Sequence, residues 1–408
     1  MNAGIDKISF YVPDQFLDLK TLAAARGVDP NKFYTGIGQE RMAVPSPDED
    51  VVTMGANAAF HALQGVDSSS LDMLIFATES GIDQSKAAGV YVHQLLGLPS
   101  SCKAFEVKQA CSGGTAGLLM ALALVNQRPD KKVLLVCADV ARYGLGTPGE
   151  PTQGAGACAM VISANPRILA IDPRNGSYTE DVMDFWRPNY MDEALVDGKA
   201  SIRIYIKALL ASWEIYAKET GLGYGDHSRF CYHLPFTRMA EKAHGSLVKQ
   251  AAPDYPETKA AAQIEAALCY NRIIGNTYTA SLYIGLTSLL EHEADMTGER
   301  LGLFSYGSGC LAIFFGGILQ PGYAQHLDKD RHRQMLDSRR ELSMQEYEKL
   351  YSQRLPKDGS DLQFSPHTCG LFRLQGISAH KRLYSRSAAL PSAAPAERAR
   401  RAHAHAVC

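Results

Sequence analysis

No stretch of about twenty residues in this chain is free of charged and polar groups, so no membrane-spanning helix is expected. Neither sign of charge dominates: Lys and Arg total 41, Asp and Glu 43, and the formal net charge is −2. That balance points to neither nucleic acid nor a membrane surface as a partner. The 9 cysteines are scattered, without a Cys-x-x-Cys pair. This excludes the common zinc signatures, argues against a disulfide scaffold and fits a reducing cytoplasm; no metal is expected. The opening residues, MNAGIDKISFYVPDQF, lack the basic cluster and apolar run of a secretory signal. A G-x-G-x-x-G match does occur, from Gly144 to Gly149, but Pro148 lies inside it and the chain runs on through glycine into a strand. A dinucleotide fingerprint has to open a helix, so none is read here. No repeat with a period of about 20 to 50 residues is evident.

What is present is a large α/β chain of 408 residues, 46% hydrophobic and 21% charged. That length suffices for two to three domains, or for one large fold with duplicated halves. Apolar runs at 71–77 and 132–138 have strand length and read as strands buried on both faces. Residues 301–319 read as two more, joined across Gly307-Ser308-Gly309. Helices are expected at 17–26, 49–64, 84–96, 201–220, 237–250, 259–273 and 278–292. Residues 173–199 read as irregular and 331–340 as a charged surface helix. From 378 onward every charged residue except Glu397 is Lys or Arg, among many alanines. The division expected is 1–165, 166–376 and a disordered tail at 377–408. Both long parts alternate buried strands with helices, the pattern of sheets covered on both faces.

The chain is organised around residues 104–127, AFEVKQACSGGTAGLLMALALVNQ. They read as strand, sharp turn and helix, with Cys111 at or just before the helix start. Small residues after it let other groups approach the sulfur. Free N–H groups at the helix start favour a thiolate, and suit an oxyanion if Cys111 carries an acyl group. Taken alone, the stretch reads equally as a buried packing cysteine before a buried helix. Cys137, inside an apolar strand, reads as packing.

Glu79 follows the 71–77 strand and precedes Gly81, where α/β active sites gather. A solvated loop acid is the simpler reading of Glu79 by itself. His233 stands at a strand end, two residues before Pro235. It is either a satisfied structural histidine or an acid–base group. Asn276 either caps the helix after it or donates into a site. Thr152 reads as a loop threonine, and Lys242 and His244 as a solvated helix face. Together, a thiol, a carboxylate and an imidazole at strand ends with glycine turns describe acyl chemistry. Claisen-type carbon–carbon bond formation and thioester hydrolysis both fit.

These residues carry a resemblance. TESGIDQSK, FEVKQACSGGTAG, GEPTQGAGA, DFWRP, FCYHLPFTRMAEKA, GNTYTASLYIGL and GLFSYGSG resemble, in order and spacing, the bacterial hydroxymethylglutaryl-CoA (HMG-CoA) synthase family, as does VDPNKFYTGIGQERMAV near the start. The resemblance covers residues 3–355 and implies a thiolase-like five-layer α-β-α-β-α fold of two similar halves, usually a homodimer. It implies an acetyl group from acetyl-CoA on Cys111. Glu79 would be the general acid/base, and His233 the anchor for the ketone of acetoacetyl-CoA. Asn276 and Ser308 would contact acyl groups; Thr152, Ser201, Lys242 and Asp29 match ligand contacts. It implies no cofactor beyond these substrates. The chain departs from the family's pattern at Ser112-Gly113-Gly114, where relatives carry larger residues, and at Gln109, commonly Glu. VKQAC is similar to the related synthases that install β-branches on polyketides, which act on acyl carrier proteins. A binding protein with a degenerate site is the reading from another class; intact Glu79, Cys111 and His233 argue against it.

Overall fold

The computed structural model describes residues 3–387. Nine strands make the main sheet: β1 (Gly4–Tyr11), β2 (Leu71–Ala77), β3 (Lys103–Val107), β4 (Lys132–Ala141), β5 (Gly154–Ser163), β6 (Leu169–Thr179), β7 (Arg229–Tyr232), β8 (Arg300–Gly307) and β9 (Leu311–Leu319). Their order across it is β7-β8-β9-β6-β1-β5-β4-β2-β3. The same wiring occurs twice. In the first half β1 is antiparallel to β5, β5 is antiparallel to β4, and β4 is parallel to β2. In the second, β6 is antiparallel to β9, β9 is antiparallel to β8, and β8 is parallel to β7. Edge strand β3 has no counterpart among the described residues. The halves join where Gly4 and Ile5 pair with Ala170 and Leu169.

Burial explains the apolar runs. Side chains alternate across a strand, so a strand covered on both faces needs apolar residues at every position. On one face of the first half, Leu74, Phe76, Leu134 and Val136 pack under α1 (Val51–Ala62). On the other, Ile75 and Leu135 join a core shared with Leu303 and Ile313 of the second half. Between them lie α2 (Gly113–Gln127) and α5 (Ser281–His292), contributing Leu118, Ala121, Leu286 and Leu289. The far face of the second half, with Phe230, Phe304 and Phe314, is covered by α3 (Gly198–Thr220) and α4 (Arg238–Ala251). Helix, sheet, helix, sheet, helix are the five layers expected.

The two central helices are counterparts. Each starts three positions after a residue with left-handed backbone, Ala110 (φ 42°) before α2 and Tyr278 (φ 45°) before α5. The third residue of each helix meets its counterpart: the hydroxyls of Thr115 and Tyr283 lie 2.8 Å apart, both buried. A residue touching its own equivalent is what a two-fold relation produces. Gly114 permits the approach, since a Cβ there would stand 2.9 Å from the Thr279 carbonyl oxygen and 3.0 Å from the Tyr283 ring.

Three expectations need correction. The region expected to be irregular begins inside β6, which continues to Thr179. Pro173 is tolerated because the β6–β9 register shifts between Phe315 and Gly317, a bulge that spares the missing N–H. The helix expected on the surface, Lys329–Asp337, buries His332 completely against Glu291, at 2.7 Å. Residues 377–386, assigned to a disordered tail, belong to a hairpin of β10 (Phe372–Ser378) and β11 (Lys381–Arg386). Tyr384 and Arg382 tie β11 to Asp50, the N-cap of α1, at 2.6 and 3.0 Å. The rest of that tail, 388–408, lies outside the described residues.

Tyr283→Phe should leave the Thr115 hydroxyl unpaired between the halves. We expect a loss of about 1–2 kcal/mol, read as a lower urea midpoint; an unchanged midpoint would show that the pair contributes nothing to holding the halves together.

Candidate active site

The site begins with a carboxylate not singled out in the sequence. Asp139 lies in β4, one strand from the end of β2, and is wholly buried. Its Oδ1 accepts the Thr78 hydroxyl and the backbone N–H groups of Glu79 and Ser80, each at 2.9 Å. Its Oδ2 accepts the Thr279 hydroxyl at 2.5 Å and the Thr279 N–H at 3.1 Å. Five donors satisfy this buried charge. Three come from the turn that carries Glu79, and two from the turn before α5 in the other half.

With its backbone held this way, Glu79 directs Oε1 at the Cys111 thiol, which donates across 3.0 Å. The Glu79 carbonyl accepts from the Arg187 guanidinium. Burial, and then the Asp139 charge, push the Glu79 carboxyl up to about 8; the thiol hydrogen bond and Arg187 act against them. Burial and the facing Glu79 carboxylate raise the Cys111 thiol well above its ordinary range. The expected thiolate-favouring effect of the helix start is therefore outweighed. The resting group is a thiol pointing at a carboxyl that ionises at about 8, and the ionised form pairs the nucleophile with its base.

His233 immediately follows β7, as Glu79 follows β2 in the equivalent strand of the other half. Its N–H donates to the Phe304 carbonyl at 2.8 Å, and its carbonyl accepts the Tyr205 hydroxyl at 2.7 Å. Nδ1 lies 2.7 Å from Ser281 Oγ, which also accepts the Leu234 N–H at 3.1 Å. We assign the serine proton to Nδ1 and the imidazole proton to Nε2, the arrangement that uses every donor. Burial pushes the imidazole down to about 3, so His233 acts as a neutral N–H donor. His244, expected on a solvated face, is buried between Tyr232 and Tyr224, at 2.8 and 3.2 Å from its two ring nitrogens.

A strap crosses this group. Phe185–Trp186 pairs with Leu195–Val196 in a short hairpin. At its root Asp184 accepts the Tyr306 hydroxyl at 2.6 Å and the Gly309 N–H at 2.9 Å. The Phe185 ring lies 6.1 Å from that of Tyr143 and 5.7 Å from that of Tyr278. Arg187 reaches Glu79 from this hairpin.

The remaining candidates divide. Ser308 sits in the β8–β9 turn, and its carbonyl accepts from Gln109 Nε2 at 3.3 Å, so the glycine hairpin does lie beside the cysteine turn. Asn276 is buried; its Oδ1 accepts the Tyr278 N–H at 2.9 Å and its own N–H donates to the Thr152 carbonyl at 3.2 Å. Asn276 thus does cap the turn before α5. Thr152 turns its hydroxyl to the Gly149 carbonyl at 2.8 Å. Ser201, Asp29 and Lys242 are not brought to the Cys111–Glu79 pair. Ser201 lies in the first turn of α3, its N–H on the Asp197 carbonyl at 2.8 Å. Asp29 is exposed and accepts the Asn31 N–H at 2.9 Å. Lys242 is exposed on α4, Nζ 5.6 Å from the Phe236 ring.

Sequence reasoning missed Asp139, Asp184, Arg187 and Tyr278. Asp139 bore the signal already used for Glu79, an acid at the end of an apolar strand. The others lie inside DFWRP and GNTYTASLYIGL, which carried the resemblance, but no role was read for them singly.

Residues 1–167 match the family model described as hydroxymethylglutaryl-coenzyme A synthase N terminal, and 169–257 and 250–367 match its C-terminal companion. The hydroxymethylglutaryl-CoA synthase of Enterococcus faecalis is 47% identical over 359 residues, 88% of this chain and 94% of that protein. The chain belongs to the HMG-CoA synthase family. A crystal structure of an HMG-CoA synthase complexed with CoA superposes with a TM-score of 0.91 at 39% identity, covering 95% of this chain and 100% of that one. The polyketide biosynthesis 3-hydroxy-3-methylglutaryl-ACP synthase PksG of Bacillus subtilis is 34% identical over 86% of this chain and 88% of its own length. The fold is thiolase-like and the protein is an acyl-transferring condensing enzyme of the HMG-CoA synthase family.

Two outcomes follow for this HMG-CoA synthase site. A base must be ionised to take a proton, so acetyl transfer to Cys111 should fall about tenfold per pH unit below about pH 8. Asp139→Asn removes the charge that raises Glu79 and turns an acceptor into a donor facing N–H groups. Its acid limb should move to lower pH, with the rate down at least about 100-fold. An unmoved limb would separate Asp139 from Glu79.

Proposed function

We propose that this enzyme condenses acetyl-CoA with acetoacetyl-CoA and water, giving HMG-CoA and CoA, in the mevalonate route to isoprenoids. The observation that carries the reading is the Cys111 thiol held 3.0 Å from a Glu79 carboxyl that changes charge near neutrality. Glu79 takes the thiol proton as the sulfur attacks the acetyl thioester, then returns it to the departing CoA sulfur. Glu79 next removes a methyl proton from acetyl-Cys111, and the carbanion attacks the ketone carbon of acetoacetyl-CoA. The neutral His233, through Nε2–H, holds that ketone oxygen, and Glu79 protonates the resulting alkoxide. Water then cleaves the Cys111 thioester, releasing HMG-CoA and restoring the thiol. Asn276 and Ser308 are proposed as acyl contacts, and Thr152, Ser201, Lys242 and Asp29 as contacts along CoA. No metal or prosthetic group enters any step.

A second reading has a specific support: the PksG relative is by its name a 3-hydroxy-3-methylglutaryl-ACP synthase, and this chain carries a small residue, Ser112, after the nucleophile where the resemblance expects an aromatic. In that reading the acceptor acyl group is carried by an acyl carrier protein. The enzyme is proposed to be a homodimer. In support, edge strand β3 leaves one side unpaired, and Met120 is 49% exposed on α2, which packs beside it. Among the described residues no helix is long and apolar enough to cross a membrane. A cytoplasmic location is proposed on the free thiols, Cys111 and Cys137 among them.

The test mixes purified protein with acetyl-CoA and acetoacetyl-CoA and follows HMG-CoA by mass spectrometry. HMG-CoA is expected; acetyl-enzyme without it would favour the carrier-protein acceptor, and no acetylation would overturn both readings. Cys111→Ala should abolish acetylation and condensation together. Glu79→Gln should slow acetylation and condensation alike, condensation at least about 100-fold, because the carboxylate takes a proton in both steps. Wild-type condensation in that variant would move the base elsewhere.

A further inference from the structure

One polar group beside Cys111 has no part in the scheme above. Tyr278 is 2% exposed, and its hydroxyl has no hydrogen-bond partner among the described residues. Leaving a buried hydroxyl unpaired costs about 1–3 kcal/mol, so one at a reacting group calls for an account of what uses it. The Tyr143 side chain is close enough to interact, but no hydrogen bond of normal length and angle closes between the two hydroxyls. The Tyr278 turn stands beside the Glu79 turn: Asp139 binds the N–H groups of Glu79 and of Thr279, the next residue, and the hairpin whose Phe185 packs on the Tyr278 ring also carries Arg187 to the Glu79 carbonyl.

The backbone is built to hold it there. Tyr278 has φ 45°, a conformation that a bulky residue adopts only under constraint. The constraints are visible: Asn276 Oδ1 accepts its N–H at 2.9 Å, and Asp139 grips the next residue, Thr279, through both N–H and hydroxyl. The Phe185 ring packs against the tyrosine ring at 5.7 Å. Tyr278 is also the counterpart of Ala110, the residue before Cys111. The second half carries its phenol on the left-handed residue itself, one position before Thr279, the counterpart of Cys111.

We propose that the Tyr278 hydroxyl donates a hydrogen bond to the carbonyl oxygen of the acyl group carried by Cys111. This makes it a further catalytic residue of the site. The inference rests on the reading that Cys111 is acylated. Its surroundings keep the phenol protonated, since burial and the neighbouring Glu79 and Cys111 raise it well above the ordinary tyrosine range. It is therefore a donor throughout the reaction, available to oppose the charge that develops on that oxygen when the thioester forms, enolises or is hydrolysed.

The test is Tyr278→Phe in the full chain, with acetyl-CoA labelled at the carbonyl carbon as the probe. A hydroxyl kept for substrate and unpaired in the free protein gives an unusual pair of results when removed. Acetylation of Cys111 slows about 10- to 100-fold, while the thermal midpoint stays level or rises. In the infrared spectrum of the acetyl-enzyme, the labelled carbonyl stretch shifts to higher frequency because its hydrogen bond is gone. Acetylation at the wild-type rate, an unshifted carbonyl band, or a variant that unfolds at lower temperature would each overturn the proposal, the last by showing that the hydroxyl is structural. Wild-type protein that takes no acetyl group fails the proposed function itself, a result read before any variant is made.

Discussion

Asp139 is the charge on which the site depends. A carboxylate without solvent must be met by donors on nearly every lone pair. Here the donors come from two separate turns, one in each half of the molecule. Satisfying one buried oxygen pair therefore fixes how Glu79 stands relative to the start of α5. From that follow the reach of Glu79 to Cys111, the place of Tyr278, and through Ser281 the orientation of His233. Burial, and after it the same charge, raise the Glu79 carboxyl into the range where it can both take and return a proton near neutrality.

The duplicated wiring explains why a single cysteine, glutamate and histidine suffice. Each half ends a parallel strand with a chemical group, Glu79 after β2 and His233 after β7. Each also begins a central helix after a left-handed step, at Ala110 and at Tyr278. The two central helices pack against each other with Thr115 on Tyr283, and the start of the second is tied to Glu79 through Asp139 and to His233 through Ser281. The Asp184-rooted strap closes the arrangement from the second half and brings the cation Arg187 to the first.

Much of this was legible in the residues. Continuous apolar runs such as 71–77 and 132–138 marked strands covered on both faces, and the motifs around Glu79, Cys111 and His233 marked the chemistry. What was not legible depended on partners distant in the chain. Asp139 looks like one more strand-end acid until Thr279 is placed beside it. Tyr278 reads as a helix start, because a left-handed φ on a tyrosine has no sequence signature. His332 and His244 looked solvated because their partners, Glu291 and Tyr232, lie on other elements. The hairpin at 372–386 was hidden by an arginine-rich composition whose charges are used: Arg382 is spent on Asp50.

The account turns on the proton shared between Cys111 and Glu79. The most direct measurement is the pH dependence of alkylation at Cys111, followed on its own peptide by mass spectrometry, in the wild type and in Glu79→Gln. Burial and the facing carboxylate should hold the wild-type thiol unreactive well past the ordinary thiol range, and removing the carboxylate should bring the reactive limb part of the way back down in pH. A cysteine that titrates like a free thiol in both proteins would contradict the pairing and, with it, the role assigned to Glu79.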